Sequence, residues 1–397
     1  IVMDGGTFKT GATTGNNETV GTLKLTNTST ITLGTGSHSL NFSASNAVPW
    51  TAGKVLTITG WTGGYDGTSG TAGKIFIGTN ASALTAAQLA QIRFYNGTTY
   101  FAATLLSSGE LVPLATVNYY NRIAGSTNLN AIATWTSDIT LATVVSPANF
   151  TADNQIFNVV NLPSPATTGN WTVSGTNSKI IVGNGVTAIN AVVANVLTAP
   201  VDVLANATLS LGNATTSGVT FGTLAPTSTV DYNRAGAQTA VVASYGNLTL
   251  SNSGVKTITG VNTVNGNFTL SGTASATATV DMTIAGNVVL GSGTTFVAGA
   301  FTHNVGGNWT NNGATFTNTG STIKFYRTTA NQNIDGTATT QTFNNLTVDK
   351  SSTRINIQGS TTNVTVVGTL TMTSGNINCG TNTLQLGTST TTVGTLT

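Results

Sequence analysis

Gly246-Asn247-Leu248-Thr249-Leu250, Gly266-Asn267-Phe268-Thr269-Leu270, Gly286-Asn287-Val288-Val289-Leu290 and Gly307-Asn308-Trp309-Thr310 lie 20, 20 and 21 residues apart. In the first three copies, apolar residues two positions apart send alternate side chains to one face, which is the pattern of a half-buried strand. The Gly-Asn pair before each strand has the chemistry of a corner. A corner and a strand repeated at a period near 20 is the signature of a β-solenoid, in which each coil stacks on the one before. The expected fold is therefore all-β, a right-handed β-solenoid (β-helix) with a small β-rich insert domain that carries one short helix.

A longer repeat is superimposed on the short one. Ser228-Thr229-Val230-Asp231-Tyr232-Asn233-Arg234 is echoed by Ser321-Thr322-Ile323-Lys324-Phe325-Tyr326-Arg327, and Asn247-Leu248-Thr249-Leu250 by Asn345-Leu346-Thr347-Val348. The offset drifts from 93 to 98 residues, as expected for a duplicated set of coils with small insertions at the corners.

Working outward, residues 226–397 read as regular solenoid with coils of about 20 residues. The last residues, Gly394 to Thr397, have the look of another coil beginning, so the solenoid is expected to continue beyond them and export signals to lie outside the sequence. Residues 118–225 carry looser strands around Trp135, Phe150, Phe157 and Trp171, a transitional block that is either solenoid or a separate sandwich. Residues 1–45 already show short alternating strands such as Ser29-Thr30-Ile31-Thr32-Leu33. Residues 46–117 break the style and read as the β-rich insert or capping domain. Within it, Thr85-Ala86-Ala87-Gln88 has the form of a capping box and opens a helix over residues 86–92, with Leu89 and Ile92 on one face.

Composition excludes several classes. Only 6% of the 397 residues are charged, and the net charge is +2, with basic residues scattered singly, so nucleic acid is not an expected partner. No stretch approaches the roughly 18 apolar residues of a membrane span. The single cysteine, Cys379, cannot form an internal disulfide and reads as a small inward residue of a late coil.

Glycan-cleaving chemistry on such a scaffold needs carboxylates about 5 to 9.5 Å apart, hence near one coil period apart in sequence. Asp138/Asp153 and Asp335/Asp349, spaced 15 and 14, do not meet that rule. His38 and His303 have no metal-ligand partner at suitable spacing, and Asp66 stands alone where a calcium loop would need several oxygens. No enzyme activity, cofactor or metal is expected. Trp61 and Tyr65, flanking the glycine-rich loop 63–73, are the residues that could stack on a sugar ring, with Trp50 and Trp61 filling a small core as the plainer reading. Gly246, Asn247, Gly266, Asn267, Gly286, Asn287, Gly307 and Asn308 are assigned to the repeat corners. Their asparagines serve either in the left-handed conformation or as a side-chain ladder between coils.

The runs Ser228 to Gly272 and Ser321 to Gly387, with the block from Tyr119-Tyr120 to Trp171, resemble the repetitive, adhesin-like regions of secreted cell-surface proteins of the Bacteroidota, the kind exported by type IX secretion. The insert, through Leu84 to Ile92 and Gly109-Glu110-Leu111-Val112-Pro113, is similar to segments of surface-anchored repeat proteins. The resemblance implies an extracellular, cell-surface location and a sorting domain outside this sequence. The expected function is a non-catalytic structural or adhesive rod or filament subunit, with head-to-tail self-association, other surface proteins or glycans as partners. A carbohydrate-binding or polysaccharide-active β-helix protein is the alternative. Ice binding through Thr ladders is a third reading, and Val289 interrupts the ladder formed by Thr249, Thr269 and Thr310.

Overall fold

Short strands rich in Thr, Val, Leu and Ile, closed by Gly or Asn at many of their ends, stack in parallel through most of the chain. A computed structural model describes residues 1–89, 91–97, 100–114, 116–122, 128–137, 146–162, 164–388 and 393–397. It is a mostly β structure, a parallel β-solenoid of about 17 turns with one short helix. The chain divides into two units, Ile1–Val117 and Asn118–Thr397.

The first unit has two ladders. Strands Val2–Lys9, Lys24–Thr32, Leu56–Thr59 and Ile92–Tyr95 pair in parallel on one side, and Asn17–Thr22, His38–Ser43 and Gly73–Ile77 on the other. Both ladders run through position 45 without a break, because Ser29 pairs with Leu56 and His38 with Gly73. Residues 46–117 thus continue the coils of residues 1–45 and then close them. The closing pieces, Tyr100–Leu105 and Glu110–Pro113, run antiparallel and join the last strand of one ladder to the last strand of the other. Such closure pairs edges that would otherwise template further strands.

The helix is shorter than its apolar spacing suggests. The capping box forms, with Thr85 N–H donating to Gln88 Oε1 at 2.8 Å and Gln88 N–H to Thr85 Oγ1 at 3.2 Å. The helix spans Ala86–Leu89, and Ile92 instead begins the strand paired with Leu56. Ala90, within the expected span, lies outside the described residues. Ladder pairing, which buries Ile92 completely, outweighs the second helical turn.

The second unit opens on an antiparallel pairing of Tyr120 and Asn121 with Thr136 and Trp135, and stacked parallel strands follow. Gln155–Val159, Lys179–Val182, Leu197–Val203 and Val219–Leu224 form one parallel ladder inside the block 118–225. A second ladder begins at Asn190–Val193 and passes through Thr208–Leu211 and Thr229–Tyr232 to Asn247–Leu250, so it crosses position 225 unbroken. Trp135, Phe157 and Trp171 fill the first coils, with ring centroids 5.1 and 5.6 Å from Trp135.

From Ser244 onward each coil lays one strand on each of three faces. Face A holds Ser244–Tyr245, Thr263–Val264, Met282–Ile284, Thr302–Val305 and Thr322–Phe325. Face B holds Asn247–Leu250, Phe268–Leu270, Val288–Leu290, Trp309–Asn311 and Gln332–Asp335. Face C holds Ser253–Thr257, Thr273–Thr277, Thr295–Val297 and Thr315–Thr317. The long strand Asn345–Ile357 continues face A with its first half and face B with its second. Leu248, Phe268, Val288 and Trp309 are stacked in register and wholly buried, as the alternation requires.

The three faces also explain the long repeat. Thr229–Tyr232 lies on face B, whereas its echo Thr322–Phe325 lies on face A. Asn247–Leu250 and its echo at Asn345 are displaced in the same way. The repeated unit is therefore not a whole number of coils, and its second copy sits one face around the axis. A coil of three similar sides tolerates this because each side makes the same ladder bonds and sends alternate side chains inward.

Candidate functional site

Every repeated Gly-Asn corner is committed to coil stacking. Asn247 Oδ1 accepts from the Asn267 N–H at 2.8 Å, Asn267 Oδ1 from Asn287 at 2.8 Å, Asn287 Oδ1 from Asn308 at 2.7 Å, and Asn308 Oδ1 from Asn333 at 2.9 Å. None of the four asparagines adopts the left-handed conformation. Of the two roles open in the sequence, the structure takes the side-chain ladder. The glycines follow from it: a Cβ on Gly266 would lie 2.3 Å from Asn247 Oδ1, and one on Gly307 would lie 2.4 Å from Asn287 Oδ1. Each asparagine occupies the space where the next coil's side chain would start.

Asn267→Ala is expected to cost about 1–3 kcal/mol, since it strands the Asn287 N–H beneath the next coil. Asn267→Asp keeps the acceptor and should retain most of that stability. Amide hydrogen exchange at Asn287 checks both, with acceleration expected in the alanine variant only.

Two lysines are buried in the second unit, each at the same kind of polar node. Lys256 Nζ donates to Arg234 O at 2.5 Å, Gly236 O at 3.3 Å and Gln238 Oε1 at 3.4 Å. Lys350 repeats the arrangement with Arg327 O at 2.7 Å, Ala330 O at 3.2 Å and Gln332 Oε1 at 2.7 Å. Each glutamine amide in turn donates to two carbonyls of an earlier coil: Gln238 to Leu211 and Asn213, Gln332 to Val305 and Gly307. Sequence reasoning missed both nodes. The signal was available, because each Gln precedes its Lys by 18 residues in both copies of the long repeat.

Burial, helped by the nearby Arg327 cation, pulls the Lys350 ammonium down to about 8. Burial also lowers Lys256. Between pH 8 and the ordinary lysine range near 10.4 the unfolded chain therefore holds a proton that folded Lys350 has lost, so stability rises with pH across that window. Below about pH 8 both states are protonated and the dependence ends. Burial raises Tyr232 to about 12, so above pH 10 tyrosine ionisation works in the opposite direction. Thermal denaturation between pH 7.5 and 10 should show the rise, and Lys350→Met should reduce it.

In the first unit, Trp61 is only 6% exposed. Its ring meets Phe94 edge-on at 5.3 Å, Gly70 lies against its face, and Nε1–H donates to Gly64 O at 3.3 Å. Tyr65 is half-buried against Phe101 at 4.5 Å, and burial pushes its phenol up. Of the two readings of Trp61, the structure takes the core: packing has taken its ring away from solvent, so Trp61 and Tyr65 do not form an exposed stacking pair. Trp50 likewise packs against that core and donates to Leu23 O. The loop itself is held by Glu110, buried at 3% exposure, which accepts from Ser69 Oγ at 2.7 Å and Gly70 N–H at 2.9 Å.

The other acidic groups are dispersed. Asp202 pairs with Lys179 at 2.6 Å and Asp349 with Lys324 at 2.8 Å, while Asp335 accepts from Thr310 Oγ1. Asp335 lies on face B and Asp349 in the half-strand on face A, so that pair does not stack. Asp138 lies outside the described residues. His38 is buried between Gly36 O and Thr10 Oγ1, both at 2.6 Å, and His303 is buried with one nitrogen on Ala298 O at 2.9 Å. Among the described residues no group of three His, Cys, Asp or Glu could hold a metal ion, and no helix is long and apolar enough to cross a membrane. Cys379 is half-buried against the core. No protein-family model, curated protein or solved structure matches the chain.

Proposed function

We propose that the chain is a non-catalytic, extracellular structural or adhesive protein of a cell surface, whose coils wind right-handed and whose stack serves as a stiff spacer or filament subunit. The observation that carries this reading is where the repeated residues are spent. Gly-Asn corners, the Lys-Gln nodes and the inward Leu, Phe, Val and Trp all bond one coil to the next, so repetition builds stiffness. Right-handed winding is favoured because parallel strands joined by crossovers take that hand almost always. The low charge and the Thr, Ser and Asn surface suit a protein exposed outside the cell, and the resemblance to Bacteroidota surface repeats points to type IX export.

Protease shaving of intact producing cells tests the location. Release of fragments of this chain before any loss of cytoplasmic markers is expected. Protection until the cells are lysed would end the reading.

A further inference from the structure

Face C differs from the other two faces in what its outward side chains do. Its strands pair without a register shift, so the outward residues form rows across the coils. The short strand Gln238–Thr239 pairs with Ser253–Thr257 and extends face C by one coil, so one row is Thr239, Thr257, Thr277, Val297 and Thr317; the next, two residues earlier along each strand, is Val255, Ser275, Thr295 and Thr315. Seven of these nine positions carry a hydroxyl, and the two valines keep the shape and γ-methyl of threonine. No residue in either row is charged or aromatic.

A second observation separates this array from an ordinary polar surface. On face B the asparagine row is spent on successive amides and Thr310 on Asp335, and on face A Lys324 pairs with Asp349; Thr249 and Thr269 of face B have no side-chain partner among the described residues but are only half-exposed. On face C none of the seven hydroxyls bonds to another described residue, and Thr239, Thr257, Thr277, Thr315 and Thr317 are exposed. The interior beneath is held by Lys256, Ala274, Ala276, Phe296 and Ala298, all essentially buried.

The rows repeat about every 4.8 Å across strands and about 7 Å along them. A surface that exploits such an array must be periodic in two directions, uncharged, and able to exchange hydrogen bonds at every repeat. A folded protein partner lacks the periodicity. A crystalline polysaccharide has it, but its sugar faces are gripped by aromatic rings, which these rows lack. An ice face has both the periodicity and the water oxygens, and the threonine methyls can sit over the gaps in its lattice while the hydroxyls join it.

We infer that face C, over Thr239 to Thr317, is an ice-binding surface. This moves the threonine ladder considered at Thr249, Thr269 and Thr310, a single row beside the committed asparagines in which Asp335 claims the Thr310 hydroxyl, to the two-row neighbouring face of the same coils. The inference does not require surface anchoring or self-assembly.

The test uses the full chain, fluorescently labelled, with incorporation into a slowly growing single ice crystal and inhibition of recrystallisation as readouts. Incorporation of the native protein is expected. Thr277→Lys should reduce it by at least about tenfold, because a lysine stands its hydrated charge between the rows and the lattice. Thr283→Lys, on exposed face A, should leave it unchanged. Far-ultraviolet circular dichroism of both variants confirms that the coils persist. Exclusion of the native protein from ice, or equal loss in both folded variants, overturns the inference. Retention on crystalline cellulose or chitin without incorporation into ice also overturns it, and reassigns the face to polysaccharide.

Discussion

Trp309→Ala is expected to destabilise the second unit by about 3–5 kcal/mol, the cost of emptying a large aromatic site in a packed core. Trp309 is 1% exposed and sits at the centre of an aromatic column, with Phe316 at 4.8 Å and Phe343 at 5.6 Å. Phe316 lies 6.0 Å from Phe296, which meets Phe268 at 5.4 Å, so the column spans several coils. These rings come from faces B and C and from the strand Thr340–Phe343, and no single coil can close over the cavity without pulling its neighbours inward. Loss should be local in a stack whose coils touch only their neighbours. Limited proteolysis read by mass spectrometry should show new cleavage between about residues 288 and 343. Trp309→Phe should cost far less, because the indole N–H has no partner and its removal relieves a buried polar group. Equal destabilisation by Ala and Phe would mean that the aromatic column is not what holds these coils.

Gly286→Val is the second large effect, for a reason unconnected with backbone freedom. Gly286 is not in the left-handed region; a Cβ there would lie 2.5 Å from the Gly266 carbonyl carbon and oxygen and 2.6 Å from Asn267 Oδ1. Two of those atoms are backbone of the coil below. The substitution must part the coils, break the Gly286 N–H bond to Gly266 O at 2.9 Å and displace Asn267 from the Asn287 amide. Overpacking and a broken buried hydrogen bond together give about 3–5 kcal/mol. Gly21→Ala is the control, since a Cβ there meets nothing within 4 Å and should shift stability by less than about 0.5 kcal/mol. Differential scanning calorimetry with hydrogen exchange separates the two, and a neutral Gly286→Val would refute the corner geometry.

Much of this architecture is legible in the sequence because its period is short and its corner chemistry is fixed. Leu248, Phe268, Val288 and Trp309 announce an inward column by alternation alone, and the Gly-Asn pairs mark where coils turn. Three features escaped for identifiable reasons. The coils of residues 46–117 carry insertions of different lengths, so Leu56 and Ile92 pair across 36 residues and no period betrays them. The face on which each copy of the long repeat lies depends on corner insertions that add up over several coils, which an alignment of Asn247 with Asn345 does not record. Lys256 and Lys350 look like surface cations in a chain with few charges; their burial depends on carbonyls brought together by the loops after Arg234 and Arg327. Trp61 shows the converse limit. An aromatic beside a glycine-rich loop reads equally as platform or core, and Phe94, which settles it, comes from another coil.

The role we propose is mechanical, with the stacked coils serving as a spacer or filament subunit at a cell surface. Negative-stain electron microscopy of the purified full chain over a range of concentrations, with particle length recorded against mass, tests it most directly. Elongated particles that join end to end into fibres, with an axial repeat near the length of one chain, are the expected result. Discrete particles of one chain each, with no end-to-end contacts at any concentration, would contradict the filament role and leave glycan arrays as the next test of adhesion.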